Sequence, residues 1–452
     1  MNSDLIERYE ARTQASKRLF AELARRIPGG VEGSIKYYSP YPLVFERGAG
    51  ATIQDVDGNE YVDYLLSFGA LMLGHGHPAV IQATRDVWRD HGTSAFGLAG
   101  RLEGELAEMV AELYPSIERL RFTNSGLEAT LLAVRLGLAA SGRDAVAKFE
   151  GHYHGGHEHV LVSVSPDLTQ AGPQRHPTAV PASLGLPEHF VEHTVVLPFN
   201  DYEGCEEILL AERDRVGVVV LEPMEAGVVP AEREFLRRLR ELTQRLGIVL
   251  VFDEVKTGFR VRLGGAQAYY GVQPDLTALG KILGGGLPIG AVGGKAEIMD
   301  LLSPLRPGGR TVFHSGTFNG NPMSVAAGIA TLRLLRAPGV FEGVVGSTER
   351  LRATVEELGR DAGFALQTVG VGTVFDVFFA RAPVTGYRAR AQADRETRLA
   401  LDFLLMAEGV FSKPQNRFSL STAHGPEVIA RTAEAFARSF AQLRRLKDGG
   451  AL

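Results

Sequence analysis

The chain has 452 residues, 45% hydrophobic and 22% charged, which suffices for a sizeable core in one large domain with additions or in two to three domains at ~150 residues each. Lys+Arg 48 against Asp+Glu 53 leaves a formal net charge of −5, so no general cationic field exists for nucleic acid or an anionic membrane. Cys205 is the only cysteine, which excludes an internal disulfide framework and any zinc site built on several thiolates.

The opening segment, Met1 to Arg26, is charged throughout and lacks the ~7–15-residue apolar run of a signal peptide. No stretch approaches the ~18 uncharged apolar residues of a membrane span, and a cytoplasmic location is expected. Residues 4–27 read as one amphipathic helix stopped by Pro28-Gly29-Gly30, and 43–56 as a strand pair around a turn at Asp57-Gly58-Asn59. From about 78 the pattern changes. Short β-branched runs, Arg119 to Thr123, Ala145 to Phe149, Val216 to Leu221, Gly247 to Phe252 and Asp275 to Leu279, alternate with helical stretches. Continuous apolar strands separated by helices imply an α/β fold with a parallel sheet buried on both faces. Residues 163–190 are rich in proline and poor in apolar anchors, and read as a long mobile loop. From about 335 a helix, strands near 364–380 and 409–421 and a closing helix over 425–445 suggest a smaller α+β unit. The expected division is therefore 78–334 as the large domain, 335–452 as the small one, and 1–77 packing with the latter.

In an open α/β sheet the ligand crevice lies beyond the carboxyl ends of the strands, so the residues following each strand are the ones to compare. They are Asn124-Ser125-Gly126, opening a helix through Leu127; Glu150-Gly151-His152-Tyr153-His154-Gly155; Glu222-Pro223; Asp253-Glu254; and Gly280-Lys281, followed by Gly284-Gly285-Gly286. Ser125-Gly126 at a helix mouth offers free backbone N–H groups and the positive end of the helix dipole to a phosphate, although a plain Ser N-cap reads the same way locally. Asp253 closes an apolar strand, where a carboxylate must be paired, either with Arg260 or Arg262 or with a cationic heteroaromatic ring. Lysine is scarce beside arginine. Lys281 lies in Leu279-Gly280-Lys281-Ile282-Leu283-Gly284 with no carboxylate within four residues, as suits a Schiff-base nucleophile. His152, His154, His157 and His159 invite a metal, but the i, i+2 interval and the Gly155-Gly156 break argue against one.

Taken together these residues resemble the class III family of pyridoxal-phosphate aminotransferases, of fold type I. The most specific stretch is Val251-Phe252-Asp253-Glu254-Val255, Thr257-Gly258-Phe259-Arg260, then Pro274-Asp275-Leu276-Thr277 and Gly280-Lys281. The resemblance implies pyridoxal 5'-phosphate as cofactor. It implies Lys281 as the lysine that takes the cofactor aldehyde and later shuttles the proton, and Asp253 as partner of the ring nitrogen. Ser125, Gly126 and Leu127 match the phosphate cup, with Leu127 where the family usually has threonine. Tyr153 matches the aromatic residue stacked on the ring, His154 and Glu222 stand among the cofactor residues, and Thr317 in Ser315-Gly316-Thr317 matches a segment reaching the neighbouring subunit's phosphate, hence a homodimer with shared sites.

The chain is similar to the branch holding glutamate-1-semialdehyde 2,1-aminomutases and their transaminase cousins that act on β-amino acids or D-phenylglycine. In the mutase branch an arginine stands where this chain has Lys36, a glutamate stands near Arg417, and a tryptophan is common at Phe68. Lysine lacks the bidentate fork of arginine. With Lys36, Phe68 and Arg417 as substrate residues, the expectation is a transaminase moving an amino group from a β-amino or D-amino acid to a 2-oxo acid; the alternative is the aminomutase.

Overall fold

A computed structural model describes residues 3–450. Met1, Asn2, Ala451 and Leu452, which the expected segments 1–77 and 335–452 include, lie outside the described residues. The chain forms two units. One comprises Met1–His77, Gly339–Val384 and Gln392–Leu452, the other Pro78–Pro338 and Thr385–Ala391.

The second unit is built on a seven-stranded sheet of β1 (Arg119–Thr123), β2 (Ala145–Phe149), β3 (Thr194–Leu197), β4 (Val216–Leu221), β5 (Val249–Asp253), β6 (Leu276–Gly280) and β7 (Gly290–Gly294), in the order β1-β7-β6-β5-β4-β2-β3. The strands from β6 to β3 pair in parallel, and β7 runs antiparallel to both its neighbours. The fold is thus mixed α/β with a mostly parallel sheet. The hydrophobic pattern predicts five of these strands and misses β3, which is short, and β7, whose sequence Gly-Ala-Val-Gly-Gly has too few side chains for alternation to register.

Alternation sorts the strand side chains onto two faces. Phe149, Leu221, Leu250 and Phe252 pack with Phe235, Leu236, Leu239 and Leu242 of helix α1 (Arg233–Leu246). On the opposite face Val218, Val220, Val251, Ala278 and Val292 pack with Ala129, Leu132, Ala133 and Leu136 of the helix Gly126–Ser141. Asp253 has the parity of Val251, and Glu222 that of Val220, so the period of two carries both acids to the face of the helix that Ser125 opens.

Thr385–Ala391 belongs to this unit although the expected division puts it with the C-terminal one. Its charges decide this: Arg388 holds Glu150 in a bidentate pair at 2.8 and 2.9 Å, Arg390 donates to Glu225 at 2.7 Å, and the Tyr387 hydroxyl donates to the Pro166 carbonyl at 2.6 Å. Residues 163–187 carry no helix or strand, but the base of the segment is pinned where Ser163 N donates to the Val180 carbonyl at 2.7 Å.

In the first unit, Phe45–Ala49, Thr52–Asp55 and Glu60–Asp63 form an antiparallel meander joined by Val410–Phe411, and Leu366–Val369, Val374–Phe379 and Phe418–Ser419 form a second sheet. Two expectations are corrected. The Asp57-Gly58-Asn59 turn joins the second and third strands, because Asp55 Oδ1 accepts from both Asp57 N and Asn59 N. The first helix is two, Ser3–Arg12 and Gln14–Leu23, broken at Thr13, whose hydroxyl donates to the Tyr9 carbonyl.

Arg398, 6% exposed, is shared by two buried acids: it donates to Asp402 at 3.0 Å and to Asp376, and to the carbonyls of Val377 and Asn416 at 2.6 Å each. Burial pushes the Asp402 carboxyl up to about 6, against the pull of the guanidinium. Arg398→Met is expected to leave both acids without a counter-charge and to lower stability by about 3–5 kcal/mol, read as a reduced urea midpoint at unchanged slope.

Candidate active site

The helix Gly126–Ser141 begins at a reciprocal cap. Ser125 Oγ accepts from Glu128 N at 3.2 Å, and the Glu128 carboxylate accepts from Asn124 N at 2.6 Å. The cap leaves the first-turn N–H groups of Gly126 and Leu127 without intrahelical acceptors, at the positive end of the dipole. Backbones crowd together here. A Cβ on Gly126 would lie 2.5 Å from Val255 Cγ1, and one on Gly290 would lie 2.1 Å from the Ser125 carbonyl oxygen, so side chains are excluded where a phosphate must approach main chain. Leu127, 39% exposed, stands at the rim, and the Thr130 hydroxyl donates to the His154 carbonyl at 2.5 Å, tying the helix to the histidine loop.

Asp253 ends β5 and is 4% exposed. Its Oδ2 lies 2.9 Å from His154 Nδ1, and its Oδ1 accepts from Val255 N at 3.0 Å. Burial pushes the carboxyl up, but the His154 hydrogen bond and charge and the Val255 N–H outweigh it, holding the group below its ordinary range. An anion results whose partner is histidine.

Glu222, 1% exposed, gathers three neighbours. Its backbone N donates to His152 Nδ1 at 3.0 Å, one carboxylate oxygen accepts from Tyr153 N at 3.0 Å, and the other accepts from Lys256 Nζ at 2.5 Å. The first of these bonds makes Nδ1 of His152 an acceptor and so places the proton of the neutral ring on Nε2. Tyr153 is 40% exposed, with its backbone N–H held by Glu222.

Two lysines interrupt apolar runs, and the structure separates them. Lys148 is wholly buried in β2, donates to the carbonyls of Phe149 and Val162 at 3.1 and 2.6 Å, and is pushed down to about 7 by burial. Lys281 is half-buried just beyond β6, whose Ala278 pairs in register with Asp253. Its φ is 50°, a left-handed conformation that costs a non-glycine residue about 1–3 kcal/mol and that recurs at functional sites.

The structure therefore gathers Ser125, Gly126, Leu127, Tyr153, His154, Glu222, Asp253 and Lys281 about the strand ends of one unit. Thr317 is exposed in a segment without regular structure, and two residues on, Asn319 accepts from the Asn124 side chain at 2.8 Å. Lys36, Phe68 and Arg417 belong to the other unit. Lys36 is exposed and pairs with Glu32 at 3.3 Å, while Arg417 Nη2 donates to the Phe68 carbonyl at 3.0 Å. Leu66, Ser67 and Phe68 all have positive φ, a left-handed turn that this bond helps to hold. Sequence reasoning missed Lys256; the scarcity of lysine was the signal, but nothing in the sequence shows its stem reaching back to Glu222. Among the described residues no group of three or more His, Cys, Asp or Glu is arranged to hold a metal ion.

The sequence pattern of the aminotransferase class-III family matches residues 35–398. The chain belongs to the class-III aminotransferase family. It is an enzyme of that family, and its cofactor is pyridoxal phosphate, which the capped helix, the buried anion and the strand-end lysine fit. It is 42% identical over 432 residues to a glutamate-1-semialdehyde 2,1-aminomutase of Desulforudis audaxviator (strain MP104C), covering 94% of this chain and 97% of that one. To an enzyme of the same name from Desulfatibacillum aliphaticivorans it is 40% identical, over 95% of this chain and 100% of the other. Among solved structures, an omega-transaminase from Sphaerobacter thermophilus superposes with a TM-score of 0.90 at 39% identity, covering 95% and 98% of the two chains.

These class-III relatives correct the expectation of a transaminase acting on β-amino or D-amino acids: both of these relatives, similar over nearly the full length, are named glutamate-1-semialdehyde 2,1-aminomutases. Two single-residue departures, at Lys36 and Arg417, weigh less than identity over nearly the whole chain.

Proposed function

We propose that this class-III enzyme is a glutamate-1-semialdehyde 2,1-aminomutase, moving the amino group of one substrate from C2 to C1. The observation that carries this reading is the identity of 42% and 40% to two aminomutases across nearly the whole chain. When bound, the cofactor supplies an electron sink for breaking a C–H bond at the amino-bearing carbon. The rest falls to the protein. The Gly126 and Leu127 N–H groups and the Ser125 hydroxyl take the phosphate, and Asp253, oriented by His154, keeps a proton on the ring nitrogen. Tyr153 supports the ring, and Lys281 removes a proton at one carbon and returns it at its neighbour. Lys36, Phe68 and Arg417 are the proposed substrate residues, with Lys36 a point charge for a carboxylate.

A homodimer with shared sites belongs to this proposal, with Thr317 reaching the neighbouring phosphate. In its favour, Phe313 and Phe318 on either side are 77% and 61% exposed, which is costly for aromatic side chains left in water. A reducing compartment suits the one cysteine, which is free and buried. No helix among the described residues is long and apolar enough to cross a membrane.

The test is to supply holoenzyme with glutamate 1-semialdehyde and no 2-oxo acid. Complete conversion to 5-amino-4-oxopentanoate is expected. No conversion, with steady transfer from β- or D-amino acids to 2-oxo acids, would reject the mutase.

A further inference from the structure

Lys256 is 15% exposed at its side chain, Glu222 only 2%, and their 2.5 Å pair lies beside the cofactor residues rather than at the surface. Such a pair is weak evidence of a stabilising role, because desolvating two ions offsets most of their attraction. Its surroundings suggest another use. The second oxygen of Glu222 is occupied by Tyr153 N at 3.0 Å, so whatever fixes the carboxylate also fixes the Tyr153 backbone. Lys256 Nζ in turn lies 5.4 Å from the centroid of the Tyr153 ring, inside the ~6 Å reach of a cation–π contact. The ring is 40% exposed and makes no ring–ring contact among the described residues, which leaves the ammonium as a charged group placed to bias its attitude. Beyond this pair lie the buried Glu225 and its partner Arg390.

We propose that Lys256 is a positioning residue for the cofactor ring, acting through its ion pair with Glu222 and its contact with the Tyr153 ring to fix the surface on which the cofactor stacks. The inference rests on the cofactor site of the proposed function and is independent of which amino-group reaction is run there. The ammonium faces the tyrosine ring while Glu222 holds the backbone of the same residue.

The test compares Lys256→Met, which keeps the length of the stem and removes the charge, with Lys256→Arg, which keeps the charge. For each holoenzyme the dissociation constant of pyridoxal phosphate is measured, together with the visible circular dichroism of the bound cofactor, which reports the asymmetry of its surroundings. About tenfold weaker binding and a diminished dichroic band are expected for Lys256→Met, and values near wild type for Lys256→Arg. Thermal unfolding of the apoproteins separates this from general damage. Should Lys256→Met fail to fold, Glu222→Gln/Lys256→Met leaves no unpaired buried carboxylate and takes its place, with the same loss expected. Wild-type affinity and dichroism in either of these variants would overturn the proposal, and recovery in the double variant alone would reduce Lys256 to a counter-ion for Glu222. Wild-type glutamate 1-semialdehyde turnover, read in parallel, reports separately on the proposed reaction.

Discussion

Lys281→Ala is expected to fold normally and lose at least about a thousandfold in turnover. A positioned acid–base group contributes roughly 10²–10⁴-fold, and a lysine that also forms the covalent link to the cofactor adds to that loss. The fold is spared because the residue is half-buried beyond the end of β6, and alanine accepts its place at a modest cost in the left-handed conformation. The check is twofold: kinetics, and borohydride reduction of cofactor-loaded wild type followed by peptide mapping. The structure contains rivals, which sharpens the second arm. Lys148 is the more deeply buried, and Lys256 lies beside Tyr153. A label on either, or substantial activity in Lys281→Ala, would reject the assignment.

Asp253→Asn should likewise fold and lose at least about a hundredfold in activity. At ~3 Å and an effective dielectric of about 20, a carboxylate attracts a protonated ring nitrogen by roughly 5 kcal/mol before desolvation, enough to raise the nitrogen by up to several pKa units. An amide of the same shape supplies none of that charge. Its single carbonyl oxygen keeps the hydrogen bond from Val255 N, and its NH2 faces His154 Nδ1, which accepts in the other neutral tautomer, so the shape of the site is kept while the charge is lost. Because His154 and the Val255 N–H hold the Asp253 carboxyl below its ordinary range, any acidic limb in the wild-type pH–rate profile near pH 5–6 belongs to another group. Wild-type-like turnover in the variant would remove Asp253 from the mechanism.

Much of the cofactor site is legible because it obeys a period. Apolar runs mark the central strands, and the residues that end them, Ser125, Tyr153, Glu222, Asp253 and Lys281, collect where parallel strands finish. What escapes is what does not repeat. β7 is nearly all glycine, the break at Thr13 depends on one hydroxyl, and Lys256 joins the site by folding back to a residue remote in sequence. The choice of reaction was misread for a related reason. Lys36 and Arg417 are single positions compared with the mutase branch, whereas the identity of 42% and 40% to two aminomutases is a property of nearly the whole chain.

The short stretch Thr385–Ala391 also limits how this protein can be dissected. It returns from the far end of the chain to supply Arg388 to Glu150 and Arg390 to Glu225, acids that are 6% and 0% exposed. A contiguous fragment ending at Pro338 would contain every strand of the cofactor sheet and still hold two interior carboxylates bereft of their cations, at about 3–5 kcal/mol each. That exceeds much of the margin by which a typical domain is stable. The large unit is continuous as a shape but not as a gene segment, and a shuffled or truncated version inherits the fold only if those seven residues travel with it.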